Sequence, residues 1–344
     1  MISRCTLAYM LLPCDRFAYM LLPVTSGPER MKYLVTGGCG FIGSHLVDAL
    51  TAAGHSVRIL DDLSTGSFAY TPHGVEIFQG DIANHHLVQA AMGTVDGCFH
   101  LAAAVSVERC NLDWPGTHGT NLGGTVAVFD AARKHSTPVV YASSAAVYGD
   151  NPQVLTEDSI PRPISAYGAD KLGCELHGWV AHHVHYVPNC GLRFSNVYGP
   201  RQDPKSPYSG VITIFANRIK DDHPIIINGD GYHTRDFIYV GDVVRALSMA
   251  MKYCRANSSS EVFNVSTGVE TCIIELVEKI SFLLHKSPRI EHGPPRPNDP
   301  RRSVGSPRKA QRILGFRATT DLASGLVKTL EGLVPALRLH HERR

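Results

Sequence analysis

Tyr167 and Lys171 stand four residues apart in Tyr167-Gly-Ala-Asp-Lys171, and on a helix that spacing puts a phenol and an ammonium on one face. A free phenol titrates near pH ~10 and is a poor base at neutral pH, but a cation beside it favours the phenolate. Such a pair can take a proton from a substrate hydroxyl. Upstream, Ser144 follows the apolar run Val139-Val-Tyr-Ala-Ser143, where a hydroxyl can hold the same substrate oxygen and relay its proton. Alone, a Tyr-x-x-x-Lys pair is common by chance and more often belongs to a helix surface, so its weight depends on what surrounds it.

A second group of residues suits an anion rather than a proton. Thr36-Gly-Gly-Cys-Gly-Phe-Ile-Gly43 spaces Gly37, Gly40 and Gly43 so that the backbone turns tightly and approaches a pyrophosphate. Phe41 and Ile42 then open a helix whose free N–H groups and positive dipole end face that anion. A glycine trio is a weak signal until it sits between a strand and a helix, as it does here. Asp61 closes the next apolar run, 18 residues after Gly43. A carboxylate there accepts from ribose hydroxyls and repels a 2'-phosphate, which favours NAD over NADP. Asp62 is expected at the cofactor beside it; the alternative is that Asp61 or Asp62 starts a solvated turn. Asp81, in Gly80-Asp-Ile82, follows the third strand within reach of the adenine edge.

These residues need strand ends and helix starts to hold them, and the hydrophobic pattern supplies both. Tyr33–Thr36, the helix Phe41–Ala53 and the strand Val57–Asp61 form a βαβ unit. Apolar runs at Val75–Phe78, Cys98–Leu101, Val139–Ser143 and Gly191–Phe194 alternate with helical stretches, which predicts a doubly wound parallel α/β sheet of Rossmann type. After about Asn196 short strands, proline-rich loops and helices mix, including helices over Tyr208–Ile219, Asp242–Tyr253 and Cys272–Leu284. The expected organisation is a Rossmann domain over 31–195 and a smaller mixed α/β substrate-binding lobe over 196–340, with a segment near 237–253 returning to the first domain. Residues 1–30 hold a near-duplication, Ala8-Tyr-Met-Leu-Leu-Pro13 and Ala18-Tyr-Met-Leu-Leu-Pro23. They read as a poorly packed extension, with Met31 the natural start or the first thirty residues dispensable.

Composition narrows the partners. The chain has 344 residues, a formal net charge of +2 and no long basic run, so nucleic acid is not an expected partner. The pairs His85-His86 and His182-His183 lack the spacing of a metal site, and no metal is expected. Nine scattered cysteines without a Cys-x-x-Cys pair indicate neither a disulfide framework nor a zinc ribbon and fit a reducing cytoplasm. No apolar run reaches the roughly 18 residues of a membrane span, so a soluble protein is expected.

Glycine turn, acidic strand end, Ser144 and Tyr-x-x-x-Lys, in this order, resemble the extended short-chain dehydrogenase/reductases over residues 32–335. Within them the chain is most similar to the UDP-glucose and UDP-N-acetylglucosamine 4-epimerases. The resemblance implies a tightly bound NAD, with Leu101, Ala102, Ala103, Asn121, Phe194, Tyr167 and Lys171 beside it. It implies that Tyr167 takes the sugar hydroxyl proton while hydride leaves carbon 4, and that the 4-keto sugar turns and regains hydride on its other face. Asn196, Arg235, Arg296 and Asp299 match the substrate and nucleotide clamp, to which arginine suits a diphosphate best; Asn121 and Asn196 also fit turn or cap roles, and Asp299 also fits a plain arginine partner. Arg301 and Arg302 read as surface residues.

Relatives that dehydrate or decarboxylate nucleotide sugars carry acids after the catalytic Ser or Thr, whereas this chain has Ala145 and Ala146, which cannot protonate a leaving hydroxyl. Epimerisation is therefore expected. Ser303 falls where the resemblance places a gatekeeper beside the sugar's 2-substituent; a small serine admits an N-acetyl group, and a solvated loop serine is the equal alternative. Val105 departs from a lysine found in some 4-epimerases. A UDP-glucuronate 4-epimerase, a dehydratase or decarboxylase, and a non-catalytic NAD-binding regulator stay open. The resemblance also implies a homodimer formed through helices that include Asn121–His135 and Tyr167–His185.

Overall fold

The computed structural model describes residues 29–203, 210–296 and 299–333. The extension expected over 1–30 lies outside them except for Glu29 and Arg30, as does the start of the helix expected from Tyr208. From Met31 the chain forms one compact unit.

Strands β1 (Lys32–Thr36), β2 (Ser56–Asp61), β3 (Glu76–Gln79), β4 (Gly97–His100), β5 (Val139–Ser144) and β6 (Asn189–Phe194) alternate with α1 (Phe41–Ala52), α2 (His85–Met92), the short α3 (Val107–Leu112) and α4 (Trp114–His118), α5 (Gly124–Ala132) and α6 (Ala166–His185). Leu34, Val35, Leu60, Cys98, Val139 and Leu192 are wholly or almost wholly buried, as expected of central parallel strands covered by helices on both faces. With β11 (Ser260–Val265) they make a seven-stranded sheet in the order β11-β6-β5-β4-β1-β2-β3, in which every pairing is parallel. The order in which strands are added switches side between β1 and β4, which opens a ligand crevice beyond the carboxyl ends of these strands. The glycine turn, Asp61, the segment after His100 and Ser144 all stand on that edge. The sheet is a doubly wound Rossmann fold.

The remaining elements are β7 (Asn196–Tyr198), α7 (Val211–Lys220), β8 (Ile225–Asn228), β9 (Thr234–Arg235), β10 (Phe237–Tyr239), α8 (Val240–Asn257), β12 (Thr271–Cys272), α9 (Ile273–Leu284), β13 (Ile290–Gly293), β14 (Arg302–Ser303), α10 (Arg308–Leu314) and α11 (Leu322–Leu333). A smaller core forms where Ile212, Phe215, Ile227, Leu276, Ile280 and Leu326 pack together. The segment expected to return near 237–253 runs further. Val243, Leu247 and Met251 of α8 join the core of β1 and α1, and β11 continues the same return as the seventh strand. Ala310 and Phe316 come back to this core a second time. The apolar stripe of α8 needs an apolar face to cover it, and the large sheet supplies one.

The helix expected from Asn121 begins differently. Gly119–Gly123 is a π turn between α4 and α5, a local widening that an apolar pattern does not announce.

Candidate active site

The turn after β1 is shaped by contacts that leave no room for side chains. Gly37 has φ +69°, and a Cβ there would lie 2.7 Å from the Ala102 nitrogen, while one on Gly43 would lie 2.0 Å from the Gly37 carbonyl oxygen. The Gly37 N–H donates to the Leu60 carbonyl at 2.8 Å, tying the turn to β2. Gly40 precedes α1 with no side-chain cap and no acid in the first turn. The N–H groups of Phe41, Ile42 and Gly43 therefore remain for an anion. Asp61 is buried at the end of β2; its carboxylate accepts from the Cys39 N–H at 2.9 Å and the Leu63 N–H at 2.8 Å. It braces the turn while each oxygen keeps a lone pair. Burial pushes its pKa up. Asp62 caps its own bend through the Ser64 N–H and hydroxyl, the alternative that the sequence left open for this residue. Asp81 accepts from the Ala83 N–H at 2.8 Å, and buried Ile82 fills the space against Gly124. A cradle that a Cβ would fill, an uncapped helix start and a buried carboxylate together fit an adenine dinucleotide.

The segment Leu101–Ala104 is gripped at both ends, at the first by Thr36 and His100, which the sequence reading missed, and at the second by Asn121, which it named. Thr36 Oγ1 accepts from the N–H groups of Leu101 and Ala102, both at 3.2 Å, and meets His100 Nδ1 at 2.8 Å. His100 Nε2 meets Thr125 Oγ1 at 3.0 Å, and that hydroxyl donates to the Asn121 carbonyl at 2.6 Å. Asn121 is fully buried in the π turn, and its amide pairs with the Ala104 backbone, accepting at 2.8 Å and donating at 3.2 Å. Asn121 thus holds the loop beside the glycine turn. The available signal for His100 was a histidine closing an otherwise apolar strand.

Ser144 is the last residue of β5, and its Oγ accepts from the Ala146 N–H at 3.1 Å. Helix α6 starts at Ala166 with Ser165 capping Gly168 at 3.1 Å. Gly168 lets this end approach the turn after Ser144, since a Cβ there would lie 2.6 Å from the Ala146 carbonyl oxygen. Lys171 is buried; its Nζ donates to the Ala142 carbonyl of β5 at 2.8 Å and lies 5.7 Å from the centre of the Tyr167 ring. Strand β5 and helix α6 therefore bring Ser144, Tyr167 and Lys171 to one place. Phe194 pairs with Ser144 across β5 and β6 and packs in the core.

In the second lobe, β9 runs between β12 and β14, and Arg235 lies opposite Ser303. The Arg235 guanidinium is largely covered and binds the Asp299 carboxylate, the partnership allowed for Asp299 by its charge. Asn196 is exposed at the start of β7, donating to the Asp236 carbonyl at 3.2 Å. Arg296 is exposed. Arg301 pairs with Asp230, and Arg302 with Glu270. Among the described residues no group of His, Cys, Asp or Glu could hold a metal ion, and no helix is long and apolar enough to cross a membrane.

Fold and site define a dinucleotide-binding protein of the short-chain dehydrogenase/reductase kind. The chain belongs to the NAD dependent epimerase/dehydratase family, which it matches over residues 33–266; NAD is its cofactor. It is 38% identical over 313 residues to a UDP-glucose 4-epimerase of Mycolicibacterium smegmatis, covering 88% of this chain and 98% of that one. A UDP-glucose 4-epimerase of Thermotoga maritima solved with UDP-glucose superposes with a TM-score of 0.85 at 33% identity, covering 89% of this chain and all of that one. A UDP-N-acetylglucosamine 4-epimerase of Methanobrevibacter ruminantium, solved with UDP-N-acetylmuramic acid, also gives 0.85, at 31% identity and 90% and 100% coverage. Relatives named as nucleotide-sugar decarboxylases and dehydratases match at 29–31% identity.

Proposed function

We propose that the protein interconverts the 4-epimers of a UDP-sugar. The observation that carries this reading is the pairing of Ser144, Tyr167 and Lys171 with alanine at both 145 and 146, a site with a proton acceptor and no second acid for elimination. NAD, when bound, supplies a reversible hydride acceptor, so carbon 4 passes through a ketone and regains its hydrogen on the other face. Ser144 holds the 4-hydroxyl, and Tyr167 takes its proton and later returns it. Lys171, fixed by the Ala142 carbonyl, keeps a positive charge near the phenol. Arg235 exchanges Asp299 for the diphosphate, with Arg296 as the second cation and Asn196 at the sugar side. Ser303, opposite Arg235, leaves space at the 2-position, so both UDP-glucose/UDP-galactose and their N-acetylated counterparts are substrates. The active form is a homodimer in which an exposed apolar stripe on α6, Leu176, Trp179, Val180 and Val184, meets its copy.

Incubating the purified chain separately with UDP-glucose, UDP-N-acetylglucosamine and UDP-glucuronate and identifying the products by NMR tests this. The expected products are the 4-epimers of the first two, and Tyr167→Phe is expected to abolish them while NAD stays bound. A 4-keto-6-deoxy sugar or a pentose would replace epimerisation by elimination or decarboxylation.

A further inference from the structure

Beneath Ser144 lies a buried polar cluster that no step above uses. Ser143 and Arg193 are direct cross-strand partners in β5 and β6, so their side chains leave the sheet on one face, the face that α6 covers. There Glu175 meets both. Its Oε1 accepts from the Ser143 hydroxyl at 2.5 Å and from Arg193 Nε at 2.8 Å, and its Oε2 accepts from Arg193 Nη2 at 2.7 Å. Both charged side chains are only 6% exposed. Arg193 Nη1 continues to the Tyr148 hydroxyl at 2.7 Å, which donates to Asn264 Oδ1 at 2.7 Å. Every polar group of the pair is matched, the condition under which two charges can stay out of water.

Position on the helix gives the cluster its meaning. Tyr167, Lys171 and Glu175 recur every four residues, so they line one edge of α6. Each successive turn finds a fixed partner on β5: Lys171 the Ala142 carbonyl, Glu175 the Ser143 hydroxyl. A helix lying on a sheet through apolar contacts alone can slide or roll by a fraction of an ångström at little cost, because those contacts are non-directional. A bidentate arginine–carboxylate fork cannot. We infer that Glu175 and Arg193 are positioning residues that lock α6 in register on β5 and so hold the Tyr167 hydroxyl at a working distance from Ser144.

This inference rests on the epimerase reading for its kinetic test and on α6 alone for its structural one. Removing one member of the pair would strand a buried charge, so the informative change is Glu175→Met with Arg193→Met, which removes both charges and keeps the volume apolar. With NAD bound, this double variant is expected to unfold near the native temperature and to keep its KM for UDP-glucose. Its kcat is expected to fall roughly ten- to hundredfold, the scale that sub-ångström misplacement produces. A purely structural pair would give back native kcat along with native stability, and that result overturns the proposal. Should the double variant not fold, Ser143→Ala, which keeps the ion pair and deletes one rung, must still lower kcat with KM held; native kcat there is equally fatal. If the native chain epimerises no UDP-sugar, the functional reading fails by itself. Amide exchange over Ala166–Cys174 then decides the register: faster in the variants supports it, unchanged overturns it.

Discussion

His100 shows how much one buried side chain can fix. It is 3% exposed, and burial, reinforced by the Lys171 charge, pushes its pKa down to about 3. Its neutral form has one tautomer that suits its neighbours. Thr36 Oγ1 already accepts two N–H groups, so its own proton goes to Nδ1, while the Thr125 proton goes to the Asn121 carbonyl and Nε2–H must donate to Thr125. The unfolded chain binds a proton below about pH 6.5 that the folded chain refuses until about pH 3. Stability from this group is therefore complete above the higher value and is lost as pH falls through that window. Between about pH 7.5 and pH 5 the native protein should lose about 2 kcal/mol relative to His100→Gln, whose side chain does not titrate there. Urea unfolding of both proteins at the two pH values measures this, and a constant difference would mean that His100 is not held neutral. The histidine was not legible beforehand because its partners lie 64 and 25 residues away in the chain. Tyr167, Lys171, Gly37 and Asp61 were easier to place, since local spacing alone puts each on a strand end or a helix face.

The junction of β1 with α1 illustrates the same distinction for whole elements. Its glycines stand out in the sequence, but their separate duties appear only in space. Gly43 sits where a Cβ would overlap the Gly37 carbonyl at 2.0 Å, and backbone cannot give way as a side-chain tip can. Gly54, just beyond α1, has φ +83° with open space around it. Gly43→Ala must push α1 away from the turn, at a cost of roughly 1–3 kcal/mol or more, and it should release NAD during gel filtration. Gly54→Ala should cost only the strain of a left-handed backbone, about 1–2 kcal/mol, and keep its NAD. Equal retention by the two variants would mean that the anion cradle does not depend on this contact. The parallel strands of the first domain were legible from apolar runs to within a residue or two: Val57–Asp61 was expected and β2 is Ser56–Asp61, whereas helix ends were placed less closely, α8 running Val240–Asn257 where Asp242–Tyr253 was expected. The π turn was not, because Gly123 and Gly124 tolerate it without demanding it. Nor was β11, whose pairing with β6 joins residues about seventy positions apart.

Over the molecule as a whole, the described residues leave on α6 an apolar surface that a single chain does not cover. Helix α6 is apolar on two sides. One side buries Cys174, Gly178 and Ala181 against the sheet. The other exposes Leu176, Trp179, Val180 and Val184, with Leu112 and Trp114 of the α3–α4 region also exposed. Positions 176, 180 and 184 recur every four residues and form a stripe rather than scattered points. Of the two segments that resemblance assigns to a dimer, only α6 offers such a stripe. Helix α5 spends Ala127, Val128, Phe129, Ala131 and Ala132 inside its own chain. A two-fold contact is the simplest way to cover a stripe with its own copy, because the same patch serves both partners. Replacing Leu176 and Val180 by glutamate puts like charges at that contact from both subunits. Since both residues are exposed in one chain, the monomer itself should lose no more than about 0.5 kcal/mol. Sedimentation should show a dimer for the native protein and a folded monomer for Leu176→Glu/Val180→Glu. A native monomer, or a variant that remains dimeric, would remove α6 from the assembly surface.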